Sequence, residues 1–289
     1  MENTNASMNG KVVLITGGTS GIGRATATAL AGMGAEVVIT GRNRERGEGA
    51  VEKIRRESGS DKVSLLLADL AVQAEVRKLA EEFKERHDRL DVLINNAGLV
   101  QSKRTETADG IELTLAVNHL APFLLTSLLL DLLKRSAPSR VITVSSGAER
   151  MGKINFDDLQ SKRRYSGFPV YGMTKLANIV FTFELAERLK GTGVTANCMH
   201  PGGVNTNFGT NNRGFSILLF RGFKPFMRSP KQGADTLVYL AASPEVEGMT
   251  GEYLADRKAQ TASPAAYDES GRKNLWEVSE ELTGIEDSA

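Results

Sequence analysis

Tyr171 and Lys175 stand four residues apart in a stretch of helix-forming composition. That spacing places two side chains on one helical face, with Cβ atoms about 5–6 Å apart. An ammonium close to a phenol favours the phenolate, so the pair predicts a tyrosine pKa drawn below its ordinary value of about 10. Such a hydroxyl exchanges protons near neutral pH and suits general acid–base work.

A second chemical signature is Thr16-Gly17-Gly18-Thr19-Ser20-Gly21-Ile22-Gly23, set between a β-branched run at 11–16 and a helix-forming stretch at 21–33. Glycines at a strand-to-helix turn let backbone N–H groups approach a pyrophosphate at the helix N-terminus. Gly17, Thr19, Ser20, Gly21, Ile22 and Gly23 are therefore candidate dinucleotide contacts. About 20 residues past such glycines a carboxylate commonly binds the adenosine ribose hydroxyls. Here the position reads Thr40-Gly41-Arg42, and a guanidinium suits a 2′-phosphate by charge and by its fork of donors, which favours NADP(H) over NAD(H). The plainer alternative has Arg42 solvating a strand end beside Arg44 and Arg46. Asp69, closing a third apolar run, is placed either to contact the adenine or to cap the helix that follows.

Something must hold these groups together, and the chain alternates strand-like and helix-like segments throughout. Strands are predicted at 11–16, 36–40, 63–67, 90–95, 140–145 and 194–200. Helices are predicted at 21–33, 44–58, 71–87, 111–135, 170–190 and 231–242. A strand at 252–254 and a helix at 273–282 complete the pattern. The alternation requires right-handed crossovers and a mostly parallel sheet covered on both faces, an α/β doubly wound, Rossmann-type domain spanning 11–289. Residues 1–10 are read as a flexible N-terminus, 207–229 as a small lid and 255–289 as a C-terminal extension. The lid reading rests on apolar residues at 215–227 interleaved with Arg221 and Lys224; packing and membrane contact are the alternatives.

Composition bounds the function. The 36 basic and 35 acidic residues among 289 give a net charge of +1, which argues against nucleic acid as a partner. One cysteine, Cys198, permits no intramolecular disulfide and points to a reducing, cytoplasmic compartment. The first ten residues lack the features of a signal peptide, and the apolar stretch 120–133 contains Pro122, Thr126, Ser127 and Asp131. It is read as a buried helix rather than a membrane span. The three histidines and Cys198 show no zinc-site spacing, so no metal is expected.

Further motifs close the predicted strands: Asn95-Asn96-Ala97-Gly98 the fourth, Val144-Ser145-Ser146 the fifth, and Pro201-Gly202-Gly203-Val204-Asn205-Thr206 the sixth. With the glycine turn and Tyr171-Gly172-Met173-Thr174-Lys175 in this order, the chain resembles the short-chain dehydrogenase/reductase superfamily over about 11–254. The resemblance implies Tyr171 as acid/base, Lys175 on the nicotinamide ribose, Ser146 on the substrate oxygen (with Ser145 competing for that role) and Asn118 in a proton relay through a water. Leu70, Asn96, Ala97, Gly98, Pro201 and Gly202 are implied cofactor contacts, and Val204 and Thr206 would face the carboxamide. A dimer or tetramer is implied as well.

A narrower resemblance is to the retinol dehydrogenase and protochlorophyllide reductase-like branch. It is carried by 39–42, Asn118-His119-Leu120-Ala121-Pro122-Phe123, Phe156-Asp157-Asp158-Leu159, Lys175-Leu176-Ala177-Asn178 with Phe181, and Leu275-Trp276-Glu277-Val278-Ser279. Thr174 stands where a serine is common, and the membrane anchor usual at the start of animal retinol dehydrogenases is not seen. The implied activity is NADP(H)-dependent hydride transfer with a lipophilic aldehyde, ketone or alcohol. Reduction of an activated carbon–carbon double bond is the alternative. A non-catalytic NADP(H)-binding protein is a third reading, opposed by the intact Asn118, Ser146, Tyr171 and Lys175.

Overall fold

In the computed structural model, which describes residues 7–204 and 228–285, eight strands share one sheet. They are β1 Val12–Ile15, β2 Glu36–Gly41, β3 Val63–Leu67, β4 Val92–Asn95, β5 Ser139–Val144, β6 Val194–Met199, β7 Tyr253–Ala255 and β8 Lys258–Ala259. Their order is β3-β2-β1-β4-β5-β6-β7-β8, all parallel except β8, which the sequence did not signal and which pairs antiparallel with β7. The chain winds outward from β1 to β3 and returns to β4, so the order reverses between β1 and β4. In such sheets the crevice at that reversal, beyond the strand carboxyl ends, is where ligands bind.

The helices are α1 Gly21–Gly32, α2 Arg44–Ser58, α3 Gln73–Arg86, a single turn α4 Leu113–Leu115, α5 Ala121–Arg135, α6 Gly167–Arg188, α7 Pro230–Ala242 and α8 Glu269–Thr283. Side chains alternate across each strand. Leu14 packs with α3, α5 and α6 on one face, whereas Val13 and Ile15 pack with α1, α2 and α7 on the other. Burial on both faces accounts for the nearly continuous apolar runs of the strands. Local signals set the helix ends. Asn43 caps α2 by accepting from Arg46 N, and Ser229 with Gln232 forms a reciprocal capping box on α7, where Pro230 begins the helix.

Between α4 and α5 the residues Ala116–Leu120 form a π-helical turn, so residues 113–135 are continuously helical. Among the described residues this is the one helix long and apolar enough to cross a membrane, longer than the stretch 120–133 suggested. It is largely buried and carries Phe123, Leu124, Leu125 and Leu129 into the core.

Of the N-terminal stretch 1–10, residues 1–6 lie outside the described residues, while Met8 is buried and donates from its backbone N to Met33 O at 2.9 Å. Of the proposed lid 207–229, residues 207–227, including the whole apolar stretch 215–227, lie outside them. Val204 and Arg228, which flank the undescribed stretch, are joined by a parallel bridge.

Candidate active site

The glycine turn is stitched to the end of β4. Thr16 Oγ1 accepts from Asn96 N at 3.0 Å and Ala97 N at 3.1 Å, while Asn96 Nδ2 donates to Thr16 O at 2.8 Å. This packing dictates the glycines. Gly17 adopts φ +66°, and a Cβ there would lie 3.0 Å from Ala97 Cα. At Gly23 an added Cβ would come within 2.5 Å of Asn96 Nδ2 and 2.6 Å of Gly17 O. Ser20 precedes α1 without a side-chain cap bond, so the N–H groups of Gly21, Ile22 and Gly23 keep their capacity for an anion. The turn therefore fits a dinucleotide pyrophosphate. Thr19 lies against Gly41, where a Cβ would meet Thr19 Cγ2 at 2.6 Å, and this contact brings the end of β2 beside the turn. Arg42 follows Gly41, exposed and without a hydrogen bond or ion pair to another described residue.

The second half of the site gathers at the carboxyl ends of β4 and β5. Lys175 Nζ is buried and donates to Val144 O at 3.0 Å, and its ammonium lies 5.7 Å from the centroid of the Tyr171 ring. A Cβ on Gly98 would meet Lys175 Nζ at 3.3 Å and Asn118 Oδ1 at 3.4 Å, so these three residues converge on one point. The two serines divide the work. Ser146 hydrogen-bonds Tyr171 and accepts from Ala148 N at 3.2 Å, whereas Ser145 Oγ is buried and spent on Lys175 O at 2.7 Å. Asn118 lies in the π-helical turn, a distortion that recurs at functional sites. Its amide accepts from Leu99 N at 2.8 Å and donates to Leu99 O at 2.9 Å and to Thr174 Oγ1 at 3.0 Å. Thr174 in turn donates to Tyr171 O at 2.8 Å. Threonine in place of serine thus keeps the hydroxyl link.

One expectation is corrected. The helical spacing predicts a tyrosine pKa lowered by Lys175, but burial dominates and pushes the Tyr171 phenol up to about 12, opposed by the Ser146 hydrogen bond. Burial also pulls Lys175 down to about 8. Four-residue spacing makes two side chains neighbours; it carries no information about how much water either retains.

Asp69 is only half-buried and its Oδ1 accepts from Ala71 N at 3.0 Å, as a turn-capping carboxylate does. The Leu70 side chain packs against the core cluster beneath it. Pro201 and Gly202, the latter at φ +72°, continue from β6, and Val204 lies against Gly233, where a Cβ would meet Val204 Cγ2 at 2.7 Å and Ile22 Cγ1 at 3.2 Å. Thr206 lies outside the described residues. Among the described residues no three metal-ligating side chains cluster.

Some contributors were not read from the sequence. Thr40 Oγ1 accepts from Gly17 N at 3.3 Å, a contact whose only sequence trace is a hydroxyl at a strand end. Glu149, fully buried three residues after Ser146, accepts from Ser263 N at 3.2 Å and Ser263 Oγ at 2.5 Å. No local pattern marks a surface-type residue as buried by a segment over 100 residues away.

Known proteins agree with this geometry. The family described as short chain dehydrogenase matches residues 11–215. Retinol dehydrogenase 14 of Homo sapiens is 46% identical, over 96% of this chain and 88% of its own length. The crystal structure of an uncharacterized protein from Mycobacterium Paratuberculosis superposes with a TM-score of 0.80 at 33% identity, covering 97% of this chain and 96% of that one. A short chain dehydrogenase from Burkholderia cenocepacia J2315 in complex with NADP superposes with a TM-score of 0.67 at 27% identity, covering 86% and 96%. The glycine turn at β1, the reversal of strand order beside it and the match along most of the chain lead to one conclusion: this protein belongs to the short-chain dehydrogenase/reductase family, on its retinol dehydrogenase-like branch, and is an NAD(P)-dependent oxidoreductase of CH–OH and carbonyl groups.

Proposed function

We propose that this enzyme uses NADP(H) to interconvert lipophilic aldehydes or ketones and their alcohols, with Tyr171 as the acid/base. The observation that carries the reading is the Ser146–Tyr171 hydrogen bond beside the buried Lys175. When bound, the nicotinamide supplies or accepts the hydride. In the reducing direction the Tyr171 hydroxyl gives its proton to the substrate oxygen as the carbonyl carbon becomes C–H, and Ser146 donates a hydrogen bond to that oxygen. Burial keeps the Tyr171 phenol protonated at neutral pH, as a proton donor requires. Lys175 binds the nicotinamide ribose and offsets the phenolate left behind, and Asn118 holds the π-helical turn from which the relay to solvent begins.

Three features support the finer points. Arg42, not a carboxylate, follows β2 beside Thr19, which suits the 2′-phosphate of NADP(H). Phe168, exposed and with its ring 6.1 Å from that of Tyr171, and Met151, exposed in the turn that Ser146 begins, offer apolar contact area next to the reactive hydroxyls. The relatives named for retinol act on a lipophilic alcohol. A reducing, cytoplasmic compartment and a dimer or tetramer complete the reading.

The test is NADPH consumption across lipophilic aldehydes, ketones and enones, with product identification. An alcohol product that disappears with Tyr171→Phe is expected. A saturated carbonyl product, or full activity of Tyr171→Phe, overturns the proposal.

A further inference from the structure

Beyond β8, the C-terminal residues 260–285 leave the sheet and return over the active-site half of the molecule, where they touch each element that carries a reactive group. On α6, the helix of Tyr171 and Lys175, Phe181 stacks on Trp276 with centroids 5.9 Å apart, and Phe183 meets Tyr267 at 5.5 Å. On the turn begun by Ser146, the buried Glu149 carboxylate takes two hydrogen bonds from Ser263. On the π-helical turn, the residue after Asn118 is His119, fully buried, and its Nε2 meets Ser279 Oγ at 2.9 Å.

The contacts of Glu149 and His119 are polar, buried and long-range, so packing alone does not account for them. A buried carboxylate or imidazole costs free energy unless its partners are held in place; Ser263 gives the Glu149 carboxylate both of these hydrogen bonds beside the Arg150 guanidinium at 3.8 Å, and Ser279 pairs with His119 Nε2. Inward from His119 the polar path continues. The ring neighbours the Asn178 side chain, and Asn178 Nδ2 donates at 3.3 Å to Val144 O, the same oxygen that receives Lys175 Nζ. The tail motif 275–279, the 118–123 motif and the 175–178 motif are thus parts of one buried network.

We propose that residues 260–285 are a positioning part of the active site, setting the Ser146 turn through Glu149–Ser263 and the Asn118 turn through His119–Ser279. Glu149, His119 and the two serines touch no reacting atom; they act through Ser146 and Asn118. The proposal rests on the reading that Ser146 and Asn118 serve the reaction.

The Ser146 hydrogen bond opposes the rise of the Tyr171 pKa, so loosening its turn moves the phenol further up. Alcohol oxidation, which needs the phenolate, reports this as a rise with pH that is displaced to higher pH. Ser263→Ala, Ser263→Thr and Ser279→Ala are therefore compared in the full-length enzyme by thermal midpoint, NADPH affinity, kcat, KM and the pH profile of oxidation. Ser263→Ala and Ser279→Ala are expected to lower kcat about fivefold, with NADPH affinity and KM little changed, and Ser263→Ala also to displace the rise of oxidation to higher pH. Ser263→Thr, which keeps the hydroxyl, is expected to restore both kcat and the pH profile. If the two alanine variants lower only the thermal midpoint, leaving kcat and the pH profile at wild-type values, the segment is structural and the proposal fails. Should Ser146→Ala prove fully active in the same assays, the underlying assignment of Ser146 fails instead.

Discussion

Ser145 Oγ donates to the carbonyl of Lys175 at 2.7 Å, tying the end of β5 to the middle of α6 and leaving the next hydroxyl, Ser146, free to face Tyr171. Adjacent serines with similar chemistry thus have different partners. Ser145→Ala should remove about 1 kcal/mol of stability and leave the lysine carbonyl short of a donor. Ser146→Ala should leave the thermal midpoint within a degree or two while kcat falls roughly 100-fold. Melting curves and steady-state kinetics on the two variants check this, and a reversed pattern would exchange the assignments.

The Tyr171 phenol is pushed up to about 12 by burial, so it stays protonated through neutral pH. Carbonyl reduction should therefore hold its rate around neutral pH and decline above about pH 8 as Lys175 loses its proton, while alcohol oxidation climbs with pH as phenolate forms. Initial rates in both directions between about pH 6 and 10 test it. An oxidation rate that is flat across this range removes Tyr171 as the base.

His119 is fully buried and its pKa is held down to about 4, against 6.5 for a free imidazole. Its folded-state pKa is depressed, so the unfolded chain binds the proton first as pH falls. Stability is fully present above pH 6.5 and is lost progressively between 6.5 and 4, at up to about 1.4 kcal/mol per pH unit from this group. Urea unfolding of wild type and His119→Asn at pH 7 and pH 5 should show a smaller pH dependence in the variant. Equal dependence in both would place the acid sensitivity elsewhere.

Arg42 is exposed past the end of β2 and makes no bond to another described residue, so removing it should not disturb the fold. Arg42→Ala is expected to raise KM for NADPH by about tenfold or more and leave KM for NADH unchanged, the loss of one charge-assisted phosphate contact. Parallel titrations with the two cofactors decide the matter; equal losses would assign Arg42 to solvation of the strand end.

Gly23 has no room for a side chain, because a Cβ there would sit 2.5 Å from Asn96 Nδ2 and 2.6 Å from Gly17 O. Gly23→Ala should displace Asn96 and weaken NADPH binding by at least about tenfold, together with a loss of stability. Fluorescence titration of NADPH measures the first effect and thermal melting the second.

Much of this protein is legible in its sequence. The strand periods, the capping signals of α2 and the glycine turn are local in sequence, because hydrogen bonding along a helix and side-chain alternation along a strand depend on near neighbours. The spacing of Tyr171 and Lys175 and the motifs at the strand ends follow from the same local rules, and their order along the chain matched a known family. What the tertiary structure decided is everything set by burial and by distant chain segments. It raised the Tyr171 pKa where spacing alone predicted a fall, tied Ser145 to the Lys175 carbonyl while Ser146 faces Tyr171, and placed Asn118 in a π-helical turn. It also brought Ser263 and Ser279 to Glu149 and His119. Desolvation and long-range hydrogen bonds depend on what packs around a residue, and no local pattern contains that.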